Sequence, residues 1–178
     1  MDPLSLIDKY TGANRQLAYI LREHSAAVCD KALEIARQKS LPVDMNFVSE
    51  AAMLHDIGVV NVDARSIHCL GTLPYICHGV EGRKILEAEG LPVHALVCER
   101  HTGSGISVTQ IIENNLPLPH RDMLPLSLEE KLICYADKFF SKSRDLRIAK
   151  PIDKIIEQMR AHGPEAYARF MRLHTMFG

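Results

Sequence analysis

No two cysteines of this chain stand in a C-x-x-C pair, and no apolar run approaches the roughly 18 residues that a membrane span needs. The five cysteines, Cys29, Cys69, Cys77, Cys98 and Cys134, are odd in number and far apart. They indicate neither a disulfide framework nor a cysteine zinc site, and they fit a reducing cytoplasm. Met1 to Ile7 has no basic segment followed by a long apolar core, so no signal peptide is expected. A Walker-type G-x-x-x-x-G-K and a G-x-S-x-G elbow are both missing, which removes two common routes to phosphate and acyl chemistry. Excess charge is lacking too, the net being -1. A dedicated nucleic-acid binder would carry a basic stripe and a high pI. With no repeats, no low-complexity tract and no Pro/Ser-rich linker, the 178 residues are expected to form one domain.

What the chain does have is helical periodicity. From Asn14 to Lys39 the residues Leu17, Ile20, Leu21, Ala27, Val28, Ala32 and Ile35 mark one apolar face, and His24 falls on it. Asp44 is a plausible N-cap for a helix carrying Phe47, Val48, Ala51, Ala52 and Leu54, with His55, Asp56 and Gly58 at its end. Neighbouring helical side chains point about 100° apart, but at a tightened last turn His55 and Asp56 can address one target. Val59 to Ile76 is aperiodic and reads as a long loop, with His68 in it. A helix from His78 to before Gly90 follows, Gly82 lying one turn on from His78. Pro92 suits the first position of the next helix, whose Val93 and Val97 lead by steps of four to His101.

Thr102-Gly103-Ser104-Gly105 comes next, a flexible run leading to a Ser107/Gln110 capping box, and its free backbone N–H groups make a candidate anion cradle. Leu116 to Pro125 is a Pro-rich connection containing His120 and Arg121. Ser127 with Glu130 opens a helix from Leu128 to about Phe140, with Asp137 on the buried face between Ile133 and Phe140 and with Lys138 directed elsewhere. An unpaired carboxylate on such a face is unfavourable and calls for a cation. Ser141, Lys142, Arg144, Arg147 and Lys150 form a local basic run. Helices from Pro151 to near Gly163 and from Glu165 to His174 close the chain, His162 and His174 reading as surface residues.

Taken singly, each inward histidine reads as an ordinary core residue. Together His24, His55, Asp56, His78, His101 and Asp137 lie on or at the end of separate helical segments, and a bundle leaves room for all six to converge. A histidine-rich cluster with carboxylates suits Zn, Mn or Fe. Two divalent ions outweigh two carboxylates, so the pocket would stay positive and attract phosphate, and phosphoester hydrolysis by a metal-bound hydroxide is the natural reaction.

The ordered set His24-Ser25, His55-Asp56-Ile57-Gly58, His78, His101-Thr102-Gly103 and Ala136-Asp137 resembles the HD-domain metal-dependent phosphohydrolase superfamily in its HDIG form, over Arg22 to about Lys142. The resemblance implies an all-α bundle, with helices 151–174 packed on the motif core. It implies His24, His55, Asp56 and Asp137 as ligands of a first metal, and His78 and His101 with a bridging Asp56 for a second. His55 and Asp56 would be the catalytic pair. Fe, Mn or Zn is expected, with Mg, Co or Ni as further options, and the substrate would be a small phosphorylated metabolite or nucleotide: a phosphomonoester, a phosphodiester or a dinucleoside polyphosphate. The His-Thr-x-Gly element also resembles HD-type hydrolases of dinucleoside tetraphosphates. Val59 departs from the many relatives that carry a lysine directly after HDIG to hold phosphate. Arg100, Arg121, Lys138 and Lys142 are the candidates for that duty, beside Gly103, Ser104 and Gly105. An HD-type di-iron oxygenase and a non-catalytic nucleotide-binding regulator are the alternatives; neither a membrane nor a dedicated nucleic-acid partner is expected.

Overall fold

A computed structural model describes residues 1–143 and 145–178, so Arg144 of the basic run lies outside the described residues. The fold is all-α. Its helices are α1 (Pro3–Thr11), α2 (Arg15–Gln38), α3 (Met45–Leu54), α4 (His78–Ala88), α5 (Pro92–Arg100), α6 (Val108–Glu113), α7 (Leu128–Asp137), α8 (Ile152–Ala161) and α9 (Pro164–Phe177). Side-chain caps define several starts. Asn14 accepts from Leu17 N, Asp44 from Asn46 N and Phe47 N, and Ser107 forms a full capping box with Gln110. Each such cap stabilises its helix by about 1 kcal/mol. Among the described residues no helix is long and apolar enough to cross a membrane.

Three details differ from the sequence-based expectation. Helix α1 is unanticipated, although Asp2 accepting from Leu4 N ahead of Pro3 is a recognisable start signal. Helix α7 stops at Asp137, short of Phe140, where N–H groups of Phe139 and Phe140 bond to Ala136 and Asp137 and tighten the chain. The stretch after Asp56 is no plain loop. It winds through 3-10 turns at Ile57–Asn61, Arg65–Ile67 and Tyr75–Cys77, with a two-residue antiparallel pair, β1 (Asp63–Ala64) and β2 (Cys69–Leu70).

The apolar interior falls into two clusters. One is built from the C-terminal part of α2 with α3, α7, α8 and α9, and includes Val28, Ala52, Leu132, Phe170 and Phe177. The other joins α1, the start of α2, the Ile57–Asn61 turn and helices α4 to α6, and includes Ile7, Leu21, Leu54, Ile57 and Leu86. Helix α2 runs through both. His24 lies on it between Leu21 of one cluster and Val28 of the other, and His55-Asp56 similarly follows Ala52 and Leu54 and precedes Ile57. The functional candidates therefore occupy the seam between two packed bodies, a place where side chains meet but elements end. Gly58 draws the seam tight: a Cβ there would come within 2.1 Å of the His78 carbonyl oxygen and 2.2 Å of Gly82 N. Gly82 itself packs against Cys98 of α5, so its role is helix packing and not approach to the cluster.

Candidate metal centre

Helix ends and one helix interior deliver the six residues. His24 comes from the middle of α2, His55 and Asp56 from the end of α3, His78 from the first position of α4, His101 from the end of α5 and Asp137 from the last residue of α7. All six are buried. Their ligand atoms form two groups, His24/His55/Asp56/Asp137 and Asp56/His78/His101, each gathered within 4.8 Å.

Asp56 joins the groups with one oxygen to each. Its Oδ2 lies 3.2 Å from His24 Nε2 and 3.0 Å from His55 Nε2, while its Oδ1 lies 3.3 Å from His101 Nε2 and 3.6 Å from His78 Nε2. Asp137 Oδ1 completes the first group, 3.1 Å from His24 Nε2 and 3.5 Å from His55 Nε2.

Three of the imidazoles are aimed by the same local device. His55 Nδ1 bonds the carbonyl of Ala52 at 2.6 Å, His78 Nδ1 that of Tyr75 at 2.7 Å, and His101 Nδ1 that of Cys98 at 2.8 Å. In each case the acceptor lies three residues back, as the end or beginning of a helix makes possible. With the proton donated from Nδ1, the lone pair sits on Nε2 and faces the cluster. His78 Nε2 and His101 Nε2 then confront each other at 3.2 Å, two acceptors without a proton between them. Asp56 Oδ1 and Nε2 of His55 are buried without a hydrogen bond, while Asp56 Oδ2 is met by the Lys142 ammonium at 2.7 Å. Groups of this kind are strongly unfavourable to bury unless a cation lies among them. The cluster can hold a divalent metal, and its nitrogen-plus-carboxylate chemistry suits a transition ion.

Electrostatics differ across the cluster. Burial opposes a charged His55, but Asp56 and Asp137 beside it outweigh burial and raise its pKa to about 9. Burial dominates at His78, whose pKa falls to about 3, and it lowers that of His101 as well. Burial also opposes ionised Asp56 and Asp137, yet their cationic neighbours hold both well below the ordinary carboxylate range: His55 and Lys142 for Asp56, Lys138 and Lys142 for Asp137.

A cavity of about 590 Å³ opens beside the centre and includes Asp137, Lys138 and Lys142 in its wall. Lys138 corrects the sequence reading: its Nζ turns inward, 2.7 Å from Asp137 Oδ2 and 3.3 Å from the His101 carbonyl. Helix α7 ends at Asp137, so the 100° offset of an ideal helix no longer separates the two side chains. Lys142 Nζ stands 2.7 Å from Asp56 Oδ2. The two arginine candidates are elsewhere engaged. Arg100 pairs with both oxygens of Glu130 at 2.9 and 3.0 Å, and Arg121 pairs with the buried Glu99. Glu130 also accepts from Leu126 N, so the Ser127 start is capped by Ser127 alone rather than by a reciprocal box. Gly103 and Gly105 line the cavity with positive φ of 61° and 87°, and the Ser104 hydroxyl turns away to bond the Ala166 carbonyl at 2.8 Å. Val59 is buried in the apolar interior.

Histidines outside the cluster behave variously. His68 is half-buried and outside both groups, and His120 and His162 are exposed, the latter at the cavity edge. His174 is no free surface residue: it is half-buried, with Nδ1 2.8 Å from Tyr135 Oη and its ring parallel to Phe170. Tyr75 was not singled out by any motif. Its ring lies 4.7 Å from that of His78 and its carbonyl orients the same imidazole. The three-residue offset before His78 could have exposed the carbonyl's role, but nothing in the aperiodic stretch foretells the ring.

A helical bundle with a buried histidine–aspartate cluster at its seam can hold a divalent metal ion. The chain belongs to the HD domain family, whose sequence profile matches residues 21–141. An uncharacterised protein of Methanocaldococcus jannaschii is 34% identical over 146 residues, covering 80% of this chain and 79% of that protein. The tRNA (cytidine(56)-2'-O)-methyltransferases of Thermoplasma volcanium and Picrophilus torridus are each 29% identical, over 173 and 156 residues. Those matches cover 96% and 87% of this chain but 44% and 40% of the methyltransferases, so the chain spans less than half their length.

Proposed function

We propose that this protein is a metal-dependent phosphohydrolase acting on a small phosphorylated metabolite or nucleotide. The observation that carries the reading is Asp56, buried at the junction, presenting Oδ2 to His24 and His55 and Oδ1 to His78 and His101. In this reading His24, His55, Asp56 and Asp137 hold one ion and Asp56, His78 and His101 a second, with Fe, Mn or Zn matching the donors. Bound there, such ions supply Lewis acidity that makes water a nucleophile at neutral pH and polarises a phosphoryl group. The chain's own residues do the rest. The three Nδ1 hydrogen bonds orient the imidazoles so that Nε2 of each faces the cluster. Lys138 fixes Asp137 through its outer oxygen, leaving the inner one for the ion. Lys142 stands at the cavity side of Asp56, placed to meet phosphate oxygens, and assumes the duty that buried Val59 cannot perform.

Methyl transfer, the activity named for two relatives, is not carried over: more than half of each of those proteins lies outside the shared region, and a histidine–aspartate cluster is not a methyl-donor site. The test is a panel of phosphomonoester, phosphodiester and phosphoanhydride substrates run with Mn, Fe(II), Co, Ni, Zn and Mg. Turnover dependent on one of the transition ions and lost in Asp56→Ala is the expected result. Tight nucleotide binding without turnover in any metal would overturn it in favour of a regulator, and oxygen-dependent consumption of substrate in favour of an oxygenase.

A further inference from the structure

The cavity carries more positive charge than one phosphate needs. Lys142 and Lys150 both belong to the segment that joins α7 to α8, and both line the 590 Å³ cavity and a smaller one of about 380 Å³ beside it. Their situations differ. Lys142 has a side chain only 14% exposed and is paired with Asp56 Oδ2, an oxygen that also faces His24 and His55. An ion held by those residues would compete with Lys142 for that oxygen and would leave the ammonium without its counter-charge. Lys150 has no carboxylate partner among the described residues; its Nζ meets only Gln158 Oε1, at 3.4 Å. Lys138 stays neutralised throughout, because it pairs with Asp137 Oδ2 and not with the oxygen that faces the histidines.

Two sets of contacts hold the described residues near Lys150. Lys150 N donates to the Phe139 carbonyl at 2.7 Å, and Arg147 pairs with Glu23 and Asp30 of α2 at 3.1 and 2.8 Å. Two lysines held at the wall of one cavity, one uncompensated already and the other to be uncompensated once an ion binds, form a two-step cationic site. We infer that Lys142 and Lys150 bind two successive phosphoryl groups, so that the substrate is a diphosphate or polyphosphate and not a simple monophosphate. This rests on the phosphohydrolase reading for the fate of the first phosphoryl group, but the anion site itself does not require turnover.

The experiment measures binding by calorimetry to the Mn(II)-loaded protein, with methylphosphonate and methylenediphosphonate as non-hydrolysable probes and with retention of Mn checked after each titration. The diphosphonate is expected to bind more tightly. Lys150→Met should weaken it roughly tenfold, the worth of one charge-assisted hydrogen bond, and shift methylphosphonate by less than about threefold. Equal effects on both probes, or no effect on either, overturn the inference. In a second arm, Lys142→Met should tighten Mn binding to the metal-free protein, since an ammonium group no longer competes for Asp56; unchanged or weaker Mn binding overturns the release of Lys142. The two readings fail separately. Absence of turnover on every phosphate ester with the diphosphonate preference intact sinks the hydrolase and leaves the anion site, whereas turnover of monophosphates with Lys150→Met without effect does the reverse.

Discussion

The two halves of the centre share Asp56 and little else. Around His24 and His55 two carboxylates converge, and the charge they bring lifts His55 to a pKa of about 9. Around His78 and His101 the only carboxylate oxygen among the described residues is Asp56 Oδ1, at 3.3 Å or more, and burial drives His78 down to about 3. One half is thus a carboxylate-rich cage that holds a proton when no ion is present, and the other is a pair of neutral imidazoles facing each other beside an open cavity. The difference teaches an order of loading. The first half offers four donors and two negative charges, the second three donors and a shared charge, so the first should bind its ion more tightly and the second should exchange.

The largest effect should come from removing what the halves have in common. Asp56→Ala takes a proposed ligand from each, and since loss of a group that only supports a ligand already lowers metal affinity about 10–100-fold, loss of the shared carboxylate should exceed about 100-fold for both proposed ions. Metal analysis after gel filtration should find neither equivalent bound. Retention of one full equivalent would show that the halves are independent sites.

Next in size is His78→Ala, which removes only a donor of the second half. The variant should keep one equivalent of tightly bound metal and lose the second, with turnover falling accordingly. Loss of both equivalents would contradict the proposed order, as would loss of only the tighter one.

Smaller, and opposite in sign between the halves, is the pH dependence of the metal-free protein. His55 has a folded pKa of about 9 against 6.5 in the free side chain, so its contribution to stability is complete below pH 6.5 and is lost as pH rises through about 9. His78, with a folded pKa of about 3, refuses a proton that the unfolded chain accepts; stability falls as pH drops from 6.5 towards 3 and is flat above. Urea unfolding in the presence of a chelator should show His55→Gln losing more stability at pH 6.5 than at pH 9.5, by on the order of 1–3 kcal/mol. His78→Gln should differ from the parent in the acid limb instead. Identical pH profiles for the two variants would erase the electrostatic distinction.

How much of this was legible beforehand follows from where each residue sits. His24 was readable because three turns of apolar spacing place it inward, and His55, His101 and Asp137 because apolar stripes lead up to them. The convergence of His55 with Asp56 follows from the helix end, but the identical event at Asp137-Lys138 does not show in the sequence, because the apolar spacing continues to Phe140 and predicts a helix that carries Lys138 away. The pairing of Arg100 and Arg121 is hidden from the sequence for another reason. Their partners Glu130 and Glu99 are remote in sequence, and a buried acid that claims an arginine leaves no periodic trace. The all-α class was evident, whereas α1 went unread although Asp2 and Pro3 announce it. Tyr75 marks the limit, since an aperiodic segment gives no phase from which a side-chain direction can be inferred.

Tyr75 also sharpens the contrast between the halves with the smallest effect. Its carbonyl holds His78 Nδ1 and its ring lies 4.7 Å from the His78 ring, so it supports the cluster through the second half. Tyr75→Ala keeps the carbonyl and removes the ring, and an aromatic pair contributes about 0.5–1.5 kcal/mol beyond its buried area. The weaker metal equivalent should therefore lose roughly two- to tenfold in affinity while the tighter one stays unchanged, as competition with a fluorescent chelator would measure. Tyr75→Phe, which retains the ring, should leave both affinities near the parent's. If Tyr75→Ala weakened both equivalents alike, the boundary between the halves would have to run through α3 and not between His55 and His78.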